Sequence, residues 1–188
     1  MGISPLMRRA VFLDRDGVIN RALMRDGKPY PPHDLLELEI LPGVEAALKS
    51  LHDAGFKLIV VTNQPDVARG SQTRAMVEKI NAELRSSLPI DDFKVCYHDD
   101  SDQCQCRKPR TGSLVKSAQE FGISLKESFM IGDRWRDIEA GRNAGCRTIL
   151  IDYHYTELKQ VEPDCRACNI TSAVEWIFKQ KGESNEEN

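Results

Sequence analysis

Two rhythms of apolar and polar positions run along this chain. Short runs rich in β-branched and aromatic residues recur at Ala10-Val11-Phe12-Leu13, Lys57-Leu58-Ile59-Val60-Val61, Phe93-Lys94-Val95-Cys96-Tyr97, Phe129-Met130-Ile131 and Thr148-Ile149-Leu150-Ile151. Each has strand length and ends at a polar motif, so five strands are predicted. Between them lie stretches with helical spacing: 44–51 closed by Gly55, 72–88, about 113–121 stopped by Gly122, about 136–144 stopped by Gly145, and a last helix near 172–178. Strands alternating with helices predict βαβ crossovers and a doubly wound, Rossmann-like α/β fold whose mostly parallel sheet is covered on both faces.

Two stretches break the alternation. Residues 21–42 carry Pro29, Pro31, Pro32 and Pro42, and residues 98–112 are polar and cysteine-bearing; both read as long loops, which inside a compact domain are usually lids or binding elements. Residues 179–188 read as a disordered tail, leaving one domain over 8–178. In doubly wound sheets ligands bind beyond the carboxyl ends of the strands. Here a polar motif follows each of the first four predicted strands: Asp14-Arg15-Asp16-Gly17, Thr62-Asn63-Gln64, Cys96 through Lys108, and Gly132-Asp133-Arg134. One site would collect them all.

Composition narrows the class. With 188 residues and 40% hydrophobic content the chain can bury one core. Asp and Glu outnumber Lys and Arg, 29 to 26, so no broad basic surface for nucleic acid is indicated. No run approaches the roughly 20 apolar residues of a membrane span, and the start lacks the apolar core of a signal peptide. The expectation is a cytoplasmic monomer acting on a small molecule, with its six cysteines reduced and, where clustered, available to a metal.

Asp14 and Asp16 are one residue apart at a strand end, where a turn at Gly17 would aim both carboxylates at one ligand. Such a pair suits a nucleophile and a proton carrier. Two close carboxylates repel each other and any anionic substrate, so the pattern asks for cations: Lys108, and a divalent metal shared with Asp133. Oxygen-only ligands favour magnesium. Taken singly, an Asp after a strand is as often a turn or helix cap; the joint pattern outweighs that reading.

A second signal is Cys96-x-His98 followed by Cys104-x-Cys106. Positions 96 and 98 share one side of an extended strand, and the second pair can fold back to complete a tetrahedral site suited to zinc. With all four places filled the metal would be structural. By contrast, Cys165-x-x-Cys168 lacks a second pair and reads as packing, Cys146 as core, and His33, His52 and His154 as surface or loop. Trp135 suits packing and substrate contact equally.

Phe12-Leu13-Asp14-Arg15-Asp16-Gly17-Val18-Ile19-Asn20 resembles the first motif of the haloacid dehalogenase superfamily. Val61-Thr62-Asn63-Gln64 resembles its second, Cys106-Arg107-Lys108-Pro109-Arg110-Thr111-Gly112 its third and Ile131-Gly132-Asp133-Arg134-Trp135-Arg136-Asp137 its fourth, covering about 11–151 in the expected order. The wording resembles the branch that holds heptose bisphosphate and histidinol-phosphate phosphatases. The resemblance implies a magnesium-dependent phosphomonoesterase in which Asp14 attacks phosphorus and Asp16 protonates the leaving oxygen, then activates water. It implies magnesium on the Asp14 and Asp133 carboxylates and the Asp16 carbonyl, with Thr62 and Lys108 on the transferring phosphoryl group. Asn63, Gln64, Arg107 and Arg134 match substrate-touching positions, and Asp137 one that supports the metal's surroundings. The branch carries the same zinc-ligand order, so the zinc would pin the loop that delivers Arg107 and Lys108.

The chain departs from this pattern at Arg21 through Tyr30, at Pro65-Asp66, and in a short zinc loop bearing Asp99, Asp100 and Asp102. The segments after the first two motifs are too short for a cap domain, which leaves the site open. A heptose bisphosphate is the first expected substrate, histidinol phosphate or another small phosphate the alternative. A noncatalytic zinc-stabilised binding module is disfavoured, since such a module has no chemical need for Asp14, Asp16, Lys108 and Asp133 together.

Overall fold

At the centre of the fold, β1 (Ala10–Leu13) is buried at every position, as a parallel strand covered on both faces requires. The computed structural model describes residues 7–156, 159 and 161–183. In it, β1 lies between β4 (Lys57–Asn63) and β6 (Phe129–Gly132), pairing in parallel with both. Outward from these lie β5 (Asp92–Cys96) on one side, β7 (Arg147–Ile151) and β8 (Cys165–Ala167) on the other, in the order β5-β4-β1-β6-β7-β8. All of these pairings are parallel. The chain winds outward from β1 in one direction, then returns and winds the other way, so the switch point falls at β1. All five predicted strands are present; β8 is an additional edge strand.

Alternate residues of β1 feed two cores, as the two-residue period of a strand dictates. Val11 and Leu13 pack with Leu48 and Leu51 of α1 (Val44–Asp53) and Ile177 of α5 (Ile170–Glu183). Ala10 and Phe12 pack with Leu114 of α3 (Gly112–Phe121) and Ala140 of α4 (Trp135–Ala144). Between β4 and β5 runs α2 (Arg74–Ser87), started by Thr73, whose side chain accepts from the Met76 amide. Trp176 on α5 meets Phe129 edge-on at 6.1 Å, so it is packing against the core as the helix pattern implied. The last helix begins at Ile170 and continues to Glu183, beyond the expected 172–178; of the expected tail, residues 184–188 lie outside the described residues.

Residues 21–42 correct the sequence reading. They contain an antiparallel hairpin of β2 (Leu23–Arg25) and β3 (Lys28–Tyr30), with Arg25 opposite Lys28. Asp26 and Gly27 therefore form a two-residue connection, both at positive φ, 50° and 72°, the twist that a tight hairpin needs and that Asp-Gly supplies. Pro29, on the two-stranded edge, hid the signal. The other expected loop stays irregular apart from a single 3-10 turn at Asp100–Asp102. Neither the hairpin nor the short stretch 64–73 after β4 forms a cap domain, and no helix among the described residues is long and apolar enough to cross a membrane.

Candidate active site

The carboxyl ends of β1, β4 and β6 open into a cavity of about 320 Å³. Asp14 follows β1 directly, and its amide donates to the Ile131 carbonyl at 2.9 Å. Beyond it the chain turns tightly: the Ile19 and Gly17 amides donate to the Arg15 and Asn20 carbonyls at 2.8 and 2.7 Å. Gly17 sits at φ 88°, and a Cβ there would lie 2.1 Å from Asp133 Oδ2, so only glycine allows this turn to press against that carboxylate.

Asp14, Asp133 and Asp137 are all buried, and each offers an oxygen within 4.8 Å of the others. Lys108, 2% exposed, reaches into this group: its Nζ lies 2.9 Å from Asp14 Oδ1 and 2.6 Å from Asp137 Oδ1, and donates to the Val61 carbonyl at 2.6 Å. Burial works against a charged lysine, but the Asp137 and Asp14 carboxylates override it and hold the Lys108 ammonium above its ordinary range. Burial pushes the Asp14 carboxyl up to about 7 against the pull of Lys108, with the Asp137 and Asp16 charges adding to the rise. The Asp133 carboxyl is also held well above its ordinary range, by burial and by repulsion from Asp14 and Asp137. Three buried carboxylates beside one lysine are short of positive charge. Asp133 Oδ1 is also buried with no hydrogen-bond partner.

Asp16 lines the same cavity, and a set of donors fixes its carboxylate. Arg15, fully buried, donates Nε and Nη2 to it at 3.1–3.2 Å and Nη1 to Asn81 Oδ1 at 3.0 Å. Asn20 and Gln64 donate side-chain amides to it at 2.9 and 2.8 Å. This corrects the expectation for Gln64, which is buried outside the cavity lining and bridges Asp16 to Thr62 Oγ1. Asn63 lines the cavity, yet its amide brackets the Lys108 peptide, donating to the carbonyl at 3.0 Å and accepting from the amide at 3.1 Å. It therefore positions Lys108. Thr62, Arg107 and Arg134 line the cavity.

Asp137 belongs to the centre more firmly than its motif suggested. It contacts Lys108 and, from the first turn of α4, accepts from the Arg134 amide at 3.0 Å. The sequence reading missed Arg15, Arg136 and Tyr155. Arg136 lines the cavity, and Tyr155 lines a neighbouring cavity together with Asp133, whose charge adds to burial in keeping the Tyr155 hydroxyl protonated. Arg15 and Arg136 stand inside the quoted motifs; nothing in the sequence around Tyr155 marks it. Trp135 lies outside this cavity, with the Arg136 guanidinium 4.7 Å and the Lys159 ammonium 5.3 Å from its ring, which favours packing.

The four soft ligands also converge. The Cys96, Cys104 and Cys106 sulfurs lie 3.3–3.6 Å apart, and His98 Nδ1 is 3.7 Å from Cys96 Sγ and 3.4 Å from Cys106 Sγ. A tetrahedral site with Zn–S arms of about 2.3 Å has edges only slightly longer, so this Cys3His cluster can hold a metal ion. Ser113 Oγ donates to the Cys106 carbonyl at 3.0 Å, tying the cluster to the start of α3 just past Lys108. Cys165 and Cys168 are free thiols, Cys146 is buried, and the side chains of His52 and His154 are exposed.

The family model for haloacid dehalogenase-like hydrolases matches residues 31–145. A D-glycero-beta-D-manno-heptose-1,7-bisphosphate 7-phosphatase of Helicobacter pylori (strain J99) is 33% identical over 90% of this chain and 97% of its own length. The enzyme of that name from Escherichia coli (strain K12) is also 33% identical, over 90% of this chain and 87% of its own. A D,D-heptose 1,7-bisphosphate phosphatase from B. bronchiseptica, solved with magnesium and phosphate, superposes with a TM-score of 0.79 at 26% identity, covering 92% of this chain and 99% of its own.

Proposed function

The chain belongs to the haloacid dehalogenase-like hydrolases, and on that premise we propose that it removes the 7-phosphate of D-glycero-D-manno-heptose 1,7-bisphosphate through an aspartyl-phosphate on Asp14. The observation that carries this reading is the contact of Asp14 with Lys108 at 2.9 Å, in a cavity lined also by Asp16 and Thr62. Single-domain organisation from residue 8 through the end of α5 at Glu183, and action as a cytoplasmic monomer on a small molecule, belong to the same reading.

The buried, oxygen-only cluster with its unpartnered Asp133 oxygen fits a hard divalent cation. Magnesium would be held by the Asp14 and Asp133 carboxylates and the Asp16 carbonyl. Bound there, it neutralises the carboxylates and the charge on the phosphoryl oxygens. Cys96, His98, Cys104 and Cys106 would hold a structural zinc, keeping the loop that presents Arg107 and Lys108 in place.

An Asp14 carboxylate oxygen attacks phosphorus as the bond from phosphorus to the sugar oxygen breaks, and Asp16 delivers a proton to that oxygen. Water then attacks the phosphorus of the aspartyl-phosphate, giving its proton to Asp16 and releasing inorganic phosphate with Asp14 restored. Lys108 and Thr62 stabilise the phosphoryl oxygens throughout. Arg15, Asn20 and Gln64 hold the Asp16 carboxyl at one orientation, while Arg107 and Arg134 face the part of the substrate beyond the scissile bond.

The test is phosphate release with magnesium from heptose 1,7-bisphosphate and histidinol phosphate at matched concentrations. A marked preference for the heptose is expected, with no turnover in Asp14→Asn and an unchanged fold. Preference for histidinol phosphate would replace the substrate assignment, and parental rates in Asp14→Asn would remove the nucleophile.

A further inference from the structure

Along α2 the buried positions are Val77, Ile80, Asn81 and Leu84, the i, i+3, i+4, i+7 stripe by which a helix faces a core. Asn81 is the polar member of that stripe and is 3% exposed. Its Oδ1 accepts from Arg15 Nη1 at 3.0 Å, while its Nδ2 is buried with no hydrogen-bond partner. An aliphatic side chain would pack in the stripe without leaving a buried donor unmet. What the amide supplies instead is the contact with Arg15.

The Arg15 guanidinium is fully buried and planar, so the placing of one edge fixes the direction of the other. Nη1 is held by Asn81, and the opposite edge, Nε and Nη2, meets the Asp16 carboxylate at 3.1–3.2 Å. Asn20 and Gln64 also donate to that carboxylate, but as neutral amides. Among the described residues Arg15 is the cation paired with Asp16, and bonds from a charged donor are the stronger ones.

We propose that Asn81 is a positioning residue for the proton transfer: by holding Arg15 from the far side, it aims the Asp16 carboxyl at the oxygen that leaves phosphorus. This rests on the phosphatase reading above and extends it to a residue outside both the cavity lining and the four motifs. Asn81 touches no reacting atom. Without its oxygen, Nη1 has no buried acceptor, the guanidinium turns to find one, and the Nε–Nη2 edge leaves Asp16. The loss then falls on the step in which Asp16 gives its proton to an alkoxide oxygen. An aryl phosphate such as p-nitrophenyl phosphate does not need that proton, because its bonding pair leaves on a stable phenolate.

Asn81→Leu keeps the stripe apolar and deletes the acceptor. The alkyl phosphate for the test is whichever of heptose 1,7-bisphosphate and histidinol phosphate the parent turns over. Its kcat/KM, which reports the steps through departure of the leaving group, is expected to fall about tenfold or more, and that for p-nitrophenyl phosphate to change less than about threefold. An equal change on both substrates, or none on either, overturns the proposal, because a merely structural role does not distinguish leaving groups. If Asn81→Leu fails to unfold cooperatively like the parent, Asn81→Ala, which deletes the same acceptor without added bulk, is held to the same outcomes. Urea unfolding of Asn81→Leu, Asp16→Asn and the double variant forms the second arm. The midpoint shifts are expected to be non-additive although the two side chains share only Arg15, and additive shifts overturn the proposal. A parent that releases phosphate from none of these esters removes the phosphatase reading, and the unfolding arm alone then decides whether Asn81 is linked to Asp16.

Discussion

At the scale of single residues, the site depends on groups whose only chemistry is placement. Arg15 buries a full charge and meets it with the Asp16 carboxylate and the Asn81 oxygen, and Asn63 grips both polar atoms of the Lys108 peptide. Gly17 is the sharpest case, because its positive φ and the 2.1 Å approach of a hypothetical Cβ to Asp133 Oδ2 leave no room for any side chain. Gly17→Ala should therefore cost on the order of 1–3 kcal/mol of stability and weaken magnesium binding, seen together in thermal unfolding and in the magnesium concentration for half-maximal phosphate release. Parental values for both would show that the turn relaxes away from Asp133. The residues proposed to react were legible as a group in the sequence because their types and spacing carry the chemistry. Gln64 was read as a substrate contact and is instead a buried bridge from Asp16 to Thr62, since a motif gives a residue's place in the chain and not the direction of its amide.

At the scale of elements, strand periodicity did most of the work. The four-residue run Ala10–Leu13 is apolar throughout because both of its faces are covered, and that continuity separated central strands from amphipathic helices. The hairpin Leu23–Arg25 with Lys28–Tyr30 was missed: its arms are three residues long and one holds a proline, so no alternation could build up around the Asp26-Gly27 turn. The cysteine-bearing loop has no regular structure to detect beyond one 3-10 turn, yet the convergence of Cys96, His98, Cys104 and Cys106 was legible from spacing alone. Cys104→Ser should lower zinc from about one per chain to well below it and reduce Tm, at roughly 2–4 °C per kcal/mol lost for a chain of this size. Metal analysis alongside calorimetry checks this, and one zinc per chain in the variant would take Cys104 out of the ligand set.

On the scale of the whole molecule, the two clusters differ in ligand chemistry and, on the reading proposed above, in role. The carboxylate cluster lies where the sheet reverses direction, and the Cys3His cluster lies in the loop that carries Lys108 to it. Magnesium removal should thus abolish turnover with little change in Tm, whereas stripping zinc should lower Tm and activity together. Separate additions of the two ions to chelated protein test this, and recovery of Tm by magnesium alone would assign the structural role to the wrong cluster. The sequence by itself determined the doubly wound sheet and marked out the clustered carboxylates, the lysine and the Cys3His group, because periodicity and residue chemistry are local properties. Only the tertiary structure decided how Lys108 divides its charge between Asp14 and Asp137, that Arg107 and Arg136 both close on Asp100, and that Tyr155 shares a cavity with Asp133. Those contacts join segments far apart in the chain, and their partners are chosen by burial and by the need to balance buried charge, which no local pattern records.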